Sequence, residues 1–250
     1  MENKMAESRI VVRGGAFSRR LKSPLLKKKN KKAFTLAEVL VTLTIIGVVA
    51  AVTVPTLSHN TTKHATINTL KTTYSILSQA IHRAQADYGD ASEWITENER
   101  WTEKGAIEVA EKLKPYLKIA KDCGPYDEKR ECFTYEYSKY RNGQNLYYVI
   151  PTDKRYYKLV LNNGTLIRIK ASAVSEYALG TSFIIFVDVN GNKKPNKNGE
   201  DIFLFSFTNN KFVPLGAPEG AHPYDKECIN PSSTGNGCAY YVLTTGKMDY

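Results

Sequence analysis

The sequence predicts an α+β fold in which one long N-terminal helix is followed by a run of consecutive strands that pair antiparallel and pack on it. Three observations carry this. Residues 34–57, FTLAEVLVTLTIIGVVAAVTVPTL, form a nearly unbroken apolar run of helical length. Immediately after it, Ile67, Leu70, Tyr74, Leu77, Ile81, Ala84 and Tyr88 recur at spacings of three and four, which places them on one helical face. From Phe133 onward, short runs rich in Tyr, Val, Ile and Phe alternate with turn residues.

Taken in order, residues 1–33 form a basic leader. They hold eleven Lys and Arg against Glu2 and Glu7, a net of +9, so the formal +10 of the whole chain leaves about +1 for everything downstream. A nucleic-acid partner therefore has little electrostatic support and is not expected. The leader is too charged for an ordinary secretory signal, which carries its apolar region ahead of the cut. The apolar run 34–57 is long enough to cross a bilayer, which takes about 20 residues of helix. The basic block Lys27, Lys28, Lys29, Lys31 and Lys32 keeps its upstream end in the cytoplasm by the positive-inside rule. Residues 58–90 continue as an amphipathic helix whose stripe only the rest of the chain can cover, and Pro55 marks a bend between the two halves. Gly89 and Asp90 stop the helix.

The remaining residues, 91–250, make a globular head. The stretch 93–123 reads as one or two short helices, with Ile107, Ala110, Leu113, Leu117 and Ala120 in register and Pro115 as a break. Trp94 and Trp101 are expected to pack this connection onto the head. Strands are expected at 133–140, 146–151, 156–161, 166–170, 183–189, 202–207 and 240–244, with Asn162-Asn163-Gly164 as a hairpin turn.

The apolar run contains one carboxylate, Glu38. An ionised group there costs about 2.5–3.5 kcal/mol or more near the bilayer centre, so it needs a partner. In a filament of stacked helices that partner is the free amino group of a neighbouring subunit, and two costly charges neutralise each other in a low-dielectric core. The plain alternative is a signal anchor whose Glu snorkels or takes up a proton.

The run Lys31-Lys32-Ala33-Phe34-Thr35-Leu36-Ala37-Glu38 resembles the processing site of type IV pilins and type II secretion pseudopilins. The resemblance implies that a prepilin peptidase cuts between Ala33 and Phe34. It implies further that Phe34 becomes the N-methylated first residue and that Glu38 serves assembly. Pro55 stands where the family has its helix-bending proline, and Ala33 stands where Gly is usual. The tail Cys238-Ala239-Tyr240-Tyr241-Val242, followed by Gly246 to Tyr250, is also similar to pseudopilin-like proteins. The fold implied is pilin-like, a long helix on an antiparallel head. The location implied is the bacterial inner membrane, single pass, head outside the cytoplasm, and later a periplasmic or surface filament. Partners implied are the peptidase, other pilin or pseudopilin subunits, an inner-membrane assembly platform and membrane lipid. The leading role is a pseudopilin or pilin-like filament subunit; a minor type IV pilin for adhesion, motility or DNA uptake is the runner-up.

Four cysteines, Cys123, Cys132, Cys228 and Cys238, all lie beyond the apolar run, on the side where disulfides persist. Three pairings exist in principle. The separations of nine and ten residues favour Cys123 with Cys132 and Cys228 with Cys238, whereas the close C-x-x-C pairs of a zinc or redox site are absent.

Residues 188–201, DVNGNKKPNKNGED, offer oxygen ligands for a hard cation in Asp188, Asn190, Asn192, Asn196 and Asp201. The loop is not an EF-hand, since Lys193 takes the place of the turn glycine and Gly199 that of the bidentate glutamate. Major pseudopilins bind calcium near this end of the chain, so the resemblance implies a structural calcium here. The same composition is also that of an ordinary strand-connecting turn, and both readings stand. No cofactor is otherwise required. For an enzyme the case is thin: His59, His64, His82 and His222 are scattered, and neither a phosphate loop nor a nucleophile elbow is present. A membrane-anchored extracytoplasmic enzyme or ligand-binding domain is the alternative of another class, and it explains neither Glu38 nor the stripe.

Overall fold

The computed structural model describes residues 34–146, 149–172, 181–218, 220 and 222–250, without the side chains of residues 55–59, 97 and 181. The basic leader and Ala33 lie outside the described residues. The chain forms two compact units, one ending at Ala51 and the other comprising Val52–Tyr250. Helix α1, Leu36–Tyr88, contributes to both and runs unbroken through Pro55.

In the first unit the helix is apolar all round and uncovered. Leu40 is 56% exposed and Ile46 64%. The stretch Leu36–Val54 is long and apolar enough to cross a membrane, and none of it is buried. Its threonines do not break the apolar character, because Thr42 donates to the carbonyls of Glu38 and Val39 and Thr44 donates to that of Leu40.

In the second unit the predicted stripe is the core. Ile67, Leu70, Leu77, Ile81 and Ala84 are buried, and Tyr74 stacks on Phe205 and Phe212 at 5.4 and 5.7 Å. Tyr88 closes the stripe at the surface. The stripe packs on a six-stranded antiparallel sheet in sequential order. Its strands are β1 Ile119–Gly124, β2 Tyr157–Leu161, β3 Leu166–Ala171, β4 Thr181–Asp188, β5 Ile202–Thr208 and β6 Lys211–Pro214. Alternation sends Leu159, Ile167, Ile169, Phe183, Ile185, Phe203 and Phe205 toward the helix side. The opposite face, with Arg168, Ile184, Phe186, Ile202 and Leu204, is buried as well, so the central strands read as nearly continuous apolar runs.

Gly89, at φ +80°, ends α1. Trp94 then stacks on Phe183 at 6.0 Å and donates its indole N–H to the Gly89 carbonyl. Helix α2, Glu103–Leu113, is capped by Thr102, whose hydroxyl accepts from the Gly105 N–H at 3.1 Å. Gly105 is required, because a Cβ there would stand 2.2 Å from the Glu99 carbonyl oxygen. Ile107, Ala110 and Leu113 lie on α2. A one-turn 3₁₀ segment, Lys114–Tyr116, follows at Pro115, so Leu117 and Ala120 leave the helix and Ala120 joins β1.

Three strand expectations are corrected. Residues 133–140 and the described part of 146–151 form no continuous strand. They fold as an open hairpin around the Tyr140–Gln144 turn, with Leu146 N–H bonded to Ser138 O and Ile150 N–H to Glu136 O. Phe133 and Ile150 from this segment are buried against Leu166. Residues 240–244 lie in helix α3, Cys238–Thr245. There Ala239 and Val242 are buried one turn apart and Gly246 supplies the left-handed cap at φ +68°. Tertiary packing and a bridge at Cys238 override the β propensity of Tyr and Val.

Candidate functional site

Two places in the chain carry chemistry. At the start of α1, Thr35 is the N-cap and Glu38 the third helical residue, and they form a capping box. The Glu38 N–H donates to the Thr35 hydroxyl at 3.2 Å, while the Thr35 N–H and hydroxyl donate to Glu38 Oε2 at 2.9 and 3.0 Å. The lone carboxylate of the apolar run is thus held by the backbone of its own helix end, one residue after the exposed Phe34. This reduces the cost of the charge in an apolar setting and fixes where it points. The T-x-x-E spacing that produces the box was readable in the sequence, and composition alone passes over Thr35.

The second place is the loop between β4 and β5. Asp188 ends β4 and Asp201 precedes β5, so strand pairing brings the two carboxylates to one end of the sheet, both buried. Asp188 accepts from the Tyr135 hydroxyl at 2.8 Å and the Asn190 N–H at 3.3 Å. Asp201 accepts from the N–H groups of Asn196 and Lys197 at 2.7 and 2.6 Å and from Asn190 Nδ2 at 3.0 Å. Burial, reinforced by the Asp201 charge, pushes the Asp188 carboxyl well above its ordinary range. Burial likewise pushes Asp201 up to about 6, against the pull of its backbone N–H partners.

The loop's amides divide. Asn192 is turned to the neighbouring segment, accepting from the Thr134 N–H and donating to the Cys132 carbonyl, both at 2.9 Å. The side-chain oxygens of Asn190, Asn196 and Asn198 are buried and find no hydrogen-bond partner among the described residues. Buried acceptors left open beside two crowded carboxylates are the donor set a hard cation takes. Asn190 and Asn196 each bond Asp201 directly, whereas the Asn198 amide donates to Asn236 at 2.9 Å. Asn192 supports the loop from outside instead.

Both cysteine pairs are bonded. Cys123–Cys132 ties β1 to the open hairpin with S–S 2.00 Å, and Cys228–Cys238 ties a π turn, Asp225–Ile229, to α3 with S–S 2.08 Å. Asp127 sits beside the first bridge, yet its carboxylate accepts three backbone N–H groups, from Glu131, Cys132 and Phe133, and the sulfurs hold each other.

Two family models match the chain. One describes the prokaryotic N-terminal methylation motif and covers residues 28–54, which includes Phe34, Thr35 and Glu38. The other describes a family of unknown function (DUF6613) and covers residues 56–241, most of the head and the amphipathic half of α1. Neither a curated protein nor a solved structure matches.

Proposed function

The chain belongs to the family of unknown function just described, with the prepilin-type motif of type IV pilins and pseudopilins at its start, and from that premise we propose that it is a structural subunit of a pseudopilus or pilus-like filament. The observation that carries this is a contrast within α1: an uncovered apolar segment, headed by Phe34 and the capped Glu38, continues into a helix that is fully employed in its own head. Such a segment needs a membrane before assembly and neighbouring helices after it.

A prepilin peptidase cuts before Phe34, the new amino group is methylated, and Glu38 meets the amino group of a neighbouring subunit in the filament core. The inner-membrane assembly platform draws the subunit from the bilayer, with the head on the extracytoplasmic side. The role is structural rather than catalytic. Mass spectrometry after co-expression with an active peptidase should show loss of the 33-residue leader, and Glu38→Ala should insert normally but assemble poorly. An intact leader, or wild-type assembly by the alanine variant, sinks the reading.

We propose further that the loop from Asp188 to Asp201 holds a structural calcium through Asp188, Asn190, Asn196 and Asp201. Calcium should raise the melting temperature of the full chain, and Asp201→Asn should abolish that rise. An unchanged rise in the variant removes these residues as ligands.

A further inference from the structure

Within the Val52–Tyr250 unit, a cavity of about 500 Å³ is walled by α1, by the chain entering β1 and by the end of β2. Ile76, Ala80 and Leu161 make its apolar floor, and Arg83 and Lys118, both exposed, stand at its rim. The rest of its lining is uncharged. Among the described residues neither cation has an ion pair or a side-chain hydrogen bond, and Asp87, one turn beyond Arg83, accepts from the Tyr116 hydroxyl instead. An apolar floor under two unpaired cations suits an acidic segment that also carries an aliphatic side chain.

The head itself displays such a segment. Among the described residues of 91–250, Ile229 is the one large aliphatic side chain left exposed, at 44%. It ends the π turn Asp225–Ile229, about one turn away from Asp225, which is exposed and makes no ion pair among the described residues. Glu227 is held by the Thr234 hydroxyl, and with Asp225 it outweighs Lys226, so the turn is acidic. The Cys228–Cys238 bridge ties the turn to α3, which leaves it little freedom to lose on docking.

The two places lie toward opposite edges of the sheet. The cavity borders β1 and β2, whereas the turn packs on α3 and α3 packs on β5 and β6. In the sequential strand order β1 and β6 are roughly 24 Å apart, at about 4.8 Å per strand, so the turn cannot reach the cavity of its own copy. A projection and a recess on different faces of one chain make a heterologous contact, whose repetition builds a filament rather than a two-fold dimer. We infer that the Asp225–Ile229 turn of one subunit docks in the Arg83–Lys118 cavity of a second copy, with Ile229 on the apolar floor and Asp225 between the two cations. The inference rests on the filament reading and names the head surfaces that meet.

The test mixes isotope-labelled and unlabelled full chain in a non-ionic detergent and treats the mixture with a carbodiimide, which joins a carboxylate to an amine only where they touch. Mass spectrometry then reads the joined peptides. The expected product links Asp225 to Lys118 and pairs a labelled with an unlabelled peptide. Arg83→Glu, which sets like charges against each other, should lower its yield about tenfold. Ile229→Thr, which removes apolar surface, should lower it about threefold. Lys71→Ala, at an exposed lysine outside the cavity, should change nothing. Arg83 and Ile229 are both exposed, so an unchanged melting temperature shows that either variant keeps its fold. Absence of the link, a link confined to single chains, a higher yield of Lys118 joined to some other carboxylate, or an undiminished yield from Arg83→Glu each overturns the proposal. Failure of cleavage before Phe34 would remove the filament reading and leave this link between copies to be found or not, so the two can fail separately.

Discussion

The two halves of α1 solve the same problem in opposite ways. Upstream, Leu40, Ile46 and Val48 are each more than half exposed and nothing in the described chain covers them; downstream, Leu70, Leu77 and Ala84 are fully covered by the sheet. Apolar content separates the halves, 16 of 24 residues in 34–57 against 11 of 33 in 58–90, and pattern separates them again. An apolar surface on every side asks for a partner outside the fold, whereas a stripe asks for one inside it. The difference teaches where each half's free energy is collected: in the head for one, in membrane and filament for the other. Stability and assembly are therefore separable by position along one helix.

The strongest way to break this comparison is to truncate one side chain in each half. Leu77→Ala opens a void in a fully buried site and should cost about 2–5 kcal/mol of head stability. Val48→Ala, at a position 62% exposed, should leave unfolding within about 0.5 kcal/mol of wild type while lowering filament yield. Denaturant unfolding of the detergent-solubilised chain, beside an assembly assay, reads both. Equal destabilisation by the two variants would mean that the upstream half is packed on the head after all.

A second test asks how the head's doubly buried sheet tolerates charge. Lys158, fully buried on β2, donates to the carbonyls of Pro125, Asp153 and Tyr156 at 2.6–2.8 Å and so ties the chain leaving β1 and the chain entering β2 to the sheet. Lys158→Met leaves those carbonyls without their donor and should cost about 3 kcal/mol. Burial draws the Lys158 ammonium down to about 7 from its ordinary 10.5. Between those values the unfolded chain holds a proton that the folded chain has released, so wild-type stability should rise with pH across that window. Parallel pH profiles for wild type and Lys158→Met would show that Lys158 does not titrate there.

What could be read in the sequence follows the same division. The helix was legible because an apolar run of helical length precedes Pro55 and a strong period of three and four follows it, and four central strands were legible because they are buried on both faces. The edges were not. β1, IAKDCG, is half exposed and irregularly paired, so it is a strand by partnership rather than propensity. β6 has four residues and ends in Pro214, and the Asn209-Asn210 turn with both φ positive was the signal that could have found it. At the candidate cation loop, composition nominated five oxygen donors equally. Only the fold distinguishes Asn192, which faces Cys132 and Thr134, from Asn190 and Asn196, because that depends on a segment 58 to 60 residues upstream.

The smallest expected effect sharpens the comparison at its upstream extreme. Thr35→Val keeps the shape of the side chain and removes the hydroxyl that accepts from the Glu38 N–H and donates to Glu38 Oε2. Loss of an N-cap costs about 1 kcal/mol of local helix stability. Because no described residue packs on this turn, head unfolding should not register the loss. Assembly should, since a carboxylate released from its own helix end has more orientations to give up when it meets a neighbour's amino group. The expected result is slower or reduced filament incorporation with cleavage before Phe34 intact, and Thr35→Ser should restore it. If Thr35→Val assembles at the wild-type rate, the capping box is helix chemistry alone, and Glu38 finds its neighbour without being held in place beforehand.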